Sequence, residues 1–143
     1  MTIDWTKVKY FNPGERWGSS SVSNDEALTR LNPLLIYSLD ALRKFVGRPI
    51  IVNNAIRNDR GTHGRGEAAD IVITGLHVVD QFLMAERTRL FAGIGLYPHW
   101  NTPGLHVDIR QLQPHQHGPR WGRNAAGNYV ALDAKFLAEC VGK

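Results

Sequence analysis

Cysteine is almost missing from this chain: Cys140, near the C-terminus, is the only one. A single thiol excludes an intrachain disulfide framework and any zinc knuckle built on cysteines. Long apolar runs are also missing. No stretch approaches the roughly 18 consecutive apolar residues of a membrane-crossing helix. The opening Met1-Thr2-Ile3-Asp4-Trp5-Thr6-Lys7 lacks the apolar centre of a signal peptide. The expectation is therefore synthesis in the cytoplasm without a signal peptide, with any export by another route. There is no Lys/Arg block and no DNA- or RNA-binding motif, so no nucleic-acid partner is expected. No internal repeat and no linker to a second domain is visible.

What is present suits one globular domain spanning residues 1–143, with 43% hydrophobic and 21% charged residues. The net charge of +4 suits an anionic partner such as an anionic cell-wall polymer or a membrane surface.

Residues 5–23 read as an irregular arm pinned to the core by Trp5, Tyr10, Phe11 and Trp17. Ser23 or Asn24 can cap a helical turn that has Asp25 and Glu26 early in it. A stronger helix follows. Asn32 is its N-cap, Pro33 sits at its first position, and Leu35, Leu39, Leu42 and Val46 recur at helical spacing. Gly47 ends it and Pro49 blocks continuation.

Strands are expected through Ile50-Ile51-Val52, over residues 68–73, over 92–97 and over 105–110. A helix over residues 76–89 turns Val79, Phe82, Leu83 and Leu90 inward, and a short helix closes the chain at 133–141. Residues 111–127 read as a polar loop. The fold class expected is α+β: a small antiparallel sheet with helices packed on one side.

The chemistry concentrates in Gly61-Thr62-His63-Gly64-Arg65-Gly66-Glu67-Ala68-Ala69-Asp70-Ile71. Here a glycine-flanked His precedes an Asp that opens an apolar strand. A second strand offers His106 and Asp108 on one face, because side chains alternate along a strand. If the two strands are neighbours, Asp70 and His106 converge. Gly64 and Gly66 let the loop fold back tightly enough to bring in His63. Two imidazoles and one carboxylate suit a catalytic Zn2+ with an open fourth position.

These residues resemble the zinc D-Ala-D-Ala carboxypeptidase and L-alanyl-D-glutamate endolysin family of metallopeptidases, within the hedgehog/DD-peptidase group. That family's Ser-x-His-x-x-Gly-x-Ala-x-Asp motif is matched by residues 61–70 at all but the opening serine. Asn53-Asn54-Ala55-Ile56-Arg57 keeps the arginine of an upstream Ser-Gly-Tyr-Arg. Ala92-Gly93-Ile94-Gly95-Leu96-Tyr97-Pro98 and His106-Val107-Asp108 follow a Gly-Gly-x-Gly-x-Tyr-Pro strand and a His-x-Asp pattern. The resemblance covers roughly residues 10–122.

The resemblance implies a hedgehog/DD-peptidase-like fold and a Zn2+ held by His63, Asp70 and His106. It also implies that Arg57 holds the substrate carbonyl or carboxylate. The implied activity is cleavage of peptidoglycan stem or cross-link peptides, as a carboxypeptidase or an endopeptidase. A phage or prophage lysis enzyme, or a virion component acting at the cell wall, fits the missing signal peptide.

Relatives carry their proton acceptor three or two residues before the last zinc-binding His, where this chain has Pro103 and Gly104. Asp108 is then the leading candidate for the base, with an orienting role as its alternative. His99, His115 and His117 are further candidates in loops that could border the cleft. A non-catalytic zinc module that binds or supports the cell wall is the competing function.

Overall fold

The computed structural model describes residues 2–143. Four α-helices and six strands follow one another as α1 (Asn24–Arg30), α2 (Pro33–Val46), β1 (Ile50–Asn54), β2 (Ala68–Ile73), α3 (Val78–Thr88), β3 (Gly93–Tyr97), β4 (Gly104–Asp108), β5 (Arg120–Arg123), β6 (Tyr129–Val130) and α4 (Ala134–Cys140). The strands form one open sheet in the order β1-β2-β4-β3-β5-β6.

The α+β class holds, but the sheet is not wholly antiparallel. β3 and β5 pair in parallel, with Gly95 opposite Trp121, while every other pairing is antiparallel. β5 and β6 arise where the sequence reads as polar loop or carries no strand signal. Arg120-Trp121-Gly122-Arg123 has no alternation of apolar and polar residues to announce a strand. Its partner is fixed by tertiary structure instead.

The helix signals act as their chemistry demands. The Ser23 hydroxyl accepts from the Glu26 N–H, and the Asn32 side chain accepts from the Leu34 N–H with Pro33 at the first position. Gly47 closes α2 in the left-handed region at φ 65°. Leu35, Leu39 and Leu42 are fully buried, and Val46 packs against the core cluster.

α3 keeps Val79 and Phe82 packed against the core, as expected, but Leu83 and, just past its end, Leu90 are exposed rather than inward. Val78, Gln81 and Ala85 are its buried residues, while Leu83 is half exposed. Gln81 sets this phase. Its side-chain oxygen accepts from the Ile73 N–H, and its amide donates to the carbonyls of Leu76 and Pro103. A buried amide so well satisfied holds its face inward against a leucine's apolar preference.

The register divides the sheet into two faces. Ala69, Ile71, Ile73, Leu105, Val107, Ile94 and Leu96 lie on one face and join the buried residues of all four helices in one core. The cross-strand row Asn54, Asp70, His106, Gly95, Trp121 runs along the other face. A bulge between Val52 and Asn54 sets Asn54 opposite Asp70, the kind of re-aiming that bulges supply.

The N-terminal arm is anchored by aromatics. Trp17 is fully buried, and Trp5 and Phe11 each have ring centroids 6.0 Å from it. The Trp17 carbonyl accepts from the Ile56 N–H, which ties the arm to the segment leading to Arg57. Among the described residues no helix is long and apolar enough to cross a membrane.

Candidate metal centre

Asp70 and His106 face each other as a direct cross-strand pair of β2 and β4. His63 reaches them from the turn over residues 61–66. That turn is tight because the Asp59 carboxylate accepts from the N–H groups of Gly61 and Gly64. A Cβ at Gly64 would collide with the Asp59 carbonyl. One at Gly66, which sits at φ +76°, would collide with the Arg30 carbonyl. The Gly66 carbonyl accepts from the Asn32 N–H, and Arg30 donates to the Gly64 carbonyl at 3.0 Å. The loop that carries His63 is thereby clamped to the junction of α1 and α2.

The three side chains are buried and converge on one point. His63 Nε2 lies 3.2 Å from His106 Nδ1 and 3.2 Å from Asp70 Oδ1, and His106 Nδ1 lies 3.5 Å from the same oxygen. Tetrahedral coordination with zinc–ligand bonds of about 2.0–2.2 Å separates donor atoms by about 3.3–3.6 Å. The triangle's edges, 3.2, 3.2 and 3.5 Å, lie within about 0.1 Å of that spacing.

The far sides of the rings decide what faces inward. His63 Nδ1–H donates to the Ala55 carbonyl at 2.7 Å, and His106 Nε2–H donates to Asp108 Oδ2 at 2.8 Å. Each ring then presents a lone pair to the other across 3.2 Å, beside a carboxylate oxygen. A single proton satisfies only one of these contacts, whereas a cation satisfies all three. The donor set therefore fits a metal ion, and for zinc it leaves a fourth position open.

With protons alone serving the cluster, the charges are strongly coupled. Burial pushes the Asp70 carboxyl up, but hydrogen bonds from His106 and His63 outweigh it and hold the group well below the usual carboxylate range. Burial likewise pushes His106 down, and its bonds to Asp108 and Asp70 more than offset that, so its pKa is raised. Metal binding at such a site displaces a proton.

The second oxygen of Asp70 is held separately. Asn54 Nδ2 donates to Asp70 Oδ2 at 3.2 Å, and an Arg57 guanidinium nitrogen donates to it at 3.4 Å. Oδ1 is thus left for a metal. Arg57 is part-exposed and also lies 3.6 Å from Asp59 Oδ2. It lines the cavities on both sides of the centre.

Asp108 lies behind His106, on the ring edge away from the triangle, and is fully buried. Arg110 grips it with three donors: the backbone N–H at 3.1 Å and Nε at 2.9 Å to Oδ1, and Nη2 at 2.6 Å to Oδ2. Burial raises the Asp108 carboxyl, but bonds from Arg110 and His106 hold it well below the ordinary range. A strongly ionised, doubly engaged carboxylate orients its histidine and is a poor proton acceptor. This geometry favours the orienting role over the role of base.

His99 lines the cavity beside Asp70, with its Nε2 2.8 Å from Glu139 Oε2. His115 and His117 lie exposed in the loop before β5, away from the cavities that touch the centre.

The sequence reading did not single out four other side chains near the site. Trp121 packs on Gly95, and its ring centroid is 5.0 Å from that of His106. Its indole N–H donates to the Tyr97 hydroxyl at 3.4 Å. Tyr97 lines both flanking cavities, and burial raises its phenol, which keeps it protonated at neutral pH. Asp59 lines the cavity that also holds His63 and His106, and Asn54 holds Asp70. Of these, only Tyr97 had a sequence signal, as the end of a Gly-rich strand.

No protein-family model matches the chain, and comparisons with curated proteins and with solved structures returned no match. The functional reading therefore rests on the residues and their geometry.

Proposed function

We propose that this protein is a zinc-dependent peptidase that cleaves peptidoglycan stem or cross-link peptides. The observation that carries the reading is the buried triangle of His63, Asp70 and His106, with both lone pairs turned inward at tetrahedral spacing. The triangle opens beside a cleft bordered by Arg57. The order of the motifs supports the same reading through their resemblance to the peptidoglycan metallopeptidases. The net charge of +4 suits an anionic cell-wall polymer.

Zinc bound here would lower the pKa of its water and polarise a scissile carbonyl. The chain's own residues do the rest. Asp108 and the Ala55 carbonyl fix the two imidazoles. Asn54 and Arg57 fix Asp70. Arg57 also presents its free edge to the cleft, where a guanidinium fork suits a substrate carbonyl or carboxylate. With Pro103 and Gly104 unable to take a proton and Asp108 engaged, the titratable groups that line the cavities, besides the arginines and the metal ligands, are Asp59, Tyr97, His99 and Tyr129.

The test is cleavage of purified muropeptides. The wild type is expected to release products, to stop after chelation and to recover with zinc, while His63→Ala stays inactive. A wild-type protein that holds zinc tightly yet cleaves no muropeptide would sink the peptidase reading.

One observation favours a second reading, a non-catalytic zinc-containing module that binds the cell wall. The positions where relatives carry their proton acceptor hold Pro103 and Gly104. Retention on cell walls without product release would support that reading.

A further inference from the structure

We infer that the cleft beside the metal centre carries a carboxylate-binding subsite built on Arg123, which selects peptides bearing a free carboxylate near the bond to be cut. The inference rests on the peptidase reading for the bond being cut, while the anion site itself stands on separate observations.

A cavity of about 400 Å³ runs from Asp70 and Arg57, past Tyr97 and Trp100, to Arg123 and Tyr129 on the β5–β6 hairpin. The register explains its shape. Arg123 follows Trp121 by two residues on β5, so its side chain emerges on the face that holds Asp70 and His106. Tyr129 pairs with Arg123 across the hairpin, and the guanidinium carbon lies 4.2 Å from the centre of its ring. The stacked ring orients the guanidinium without neutralising it. Tyr97 and Trp100 stack at 4.5 Å between the two ends of the cavity.

The other charged groups in this cavity each have a charged partner. Asp70 belongs to the histidine cluster, Arg57 is paired with Asp59 and Asp70, and His99 is paired with Glu139. Among the described residues Arg123 has no carboxylate within ion-pair distance. Gly127 lies beside it, where an added Cβ would sit 3.8 Å from a guanidinium nitrogen. A planar fork on an aromatic ring, facing a cleft that touches the metal ligands, is suited to bidentate recognition of a carboxylate. That carboxylate can be the α-carboxylate at a chain end or an acidic side chain.

The experiment is equilibrium titration of the zinc-loaded protein with three probes: N-acetyl-alanyl-alanine, its C-terminal amide, and N-acetyl-alanyl-glutamic acid α-amide. The second residue is used in both stereochemical forms. At least one acid is expected to bind about ten-fold or more tightly than the plain amide, as for charge-assisted bidentate pairs. Preference for the first probe identifies a chain-end carboxylate, and preference for the third identifies a side chain. In Arg123→Met the advantage is expected to disappear, and in Arg123→Lys to survive in part, with zinc content and melting temperature unchanged in both. Equal binding of all three probes, or undiminished acid preference in Arg123→Met, overturns the subsite. A probe that is cleaved is compared by kcat/KM instead. A protein that binds acids as stated but cleaves nothing loses the peptidase reading and keeps the subsite. One that cleaves muropeptides without acid preference loses the subsite alone.

Discussion

Replacing Asp108 with Asn separates the two roles open to that residue. The wild-type carboxylate accepts at Oδ2 from His106 and an Arg110 guanidinium nitrogen, and at Oδ1 from the Arg110 Nε and backbone N–H, with no exposure to solvent. An Asn at this position has one acceptor oxygen and one amide group. Whichever way the amide turns, its NH2 faces a donor of Arg110, and in one of the two orientations it faces His106 Nε2–H as well. Arg110 then loses a charge-assisted bond in either case, and in that orientation His106 also loses its fixed tautomer. Loss of a partner behind a metal-bound histidine weakens metal binding about 10–100-fold, or about 1.4–2.7 kcal/mol. Losing the bond to the charged Arg110 costs about 1.5–3 kcal/mol of fold stability. At about 3–4 °C per kcal/mol for a domain of this size, the melting temperature falls by roughly 5–12 °C. Zinc titration against a competing chelator measures the affinity, and muropeptide turnover at saturating zinc measures the chemistry. The orienting role is expected to give weaker zinc binding with most of kcat recovered once zinc saturates. Unchanged zinc affinity with kcat lost by about 10²–10⁴-fold is the signature of a general base and would refute the reasoning.

Two further outcomes follow from the geometry. Gly66→Ala puts a Cβ against the Arg30 carbonyl at φ +76°, whereas Gly47→Ala at φ +65° meets nothing within 4 Å. Gly47→Ala is expected to cost about 1–2 kcal/mol and leave zinc affinity unchanged, while Gly66→Ala costs more and weakens zinc binding through His63. Equal zinc affinity in the two variants would refute the clamp. Glu86 and Arg120 tie α3 to β5 through two bonds of 2.7 Å, and the hydrogen bond from Arg120 lowers the Glu86 pKa. A depressed pKa contributes stability above the unfolded value of about 4.3 and loses it as pH falls further. Both side chains are part-exposed, so solvent screening limits the effect to about 1 kcal/mol or less. Glu86→Gln is accordingly expected to melt slightly lower than wild type at pH 7, with the gap narrowing as pH falls below the ordinary carboxylate range and the Glu86 carboxylate takes up its proton; a gap that does not narrow with falling pH would contradict this.

Legibility in the sequence followed the range of the interactions. Helix caps, the α2 stripe and the β2 strand are local, and Asn32-Pro33, Gly47 and the apolar run after Asp70 announce them. The metal cluster was legible because strand alternation and a Gly-framed turn limit where His63, Asp70 and His106 can go. β5 was not legible, since a four-residue strand paired in parallel takes its place from β3 rather than from its own pattern. Trp121 and Arg123 therefore looked like loop residues, although with Tyr129 they border the cleft. Leu83 was expected to face inward because hydrophobicity alone does not reveal that Gln81 is buried by three hydrogen bonds. Asn54 reached Asp70 through a β-bulge, which no residue pattern in β1 announces.

The central claim is that His63, Asp70 and His106 hold one zinc ion. Zinc-edge X-ray absorption of the loaded protein, with metal content measured on the same sample, tests it most directly. The account expects one zinc per chain, four light ligands at about 2.0–2.1 Å and the scattering pattern of two imidazoles, with the metal lost in His63→Ala and His106→Ala. A sulfur ligand, six-coordinate zinc, or full zinc content in either variant would contradict it.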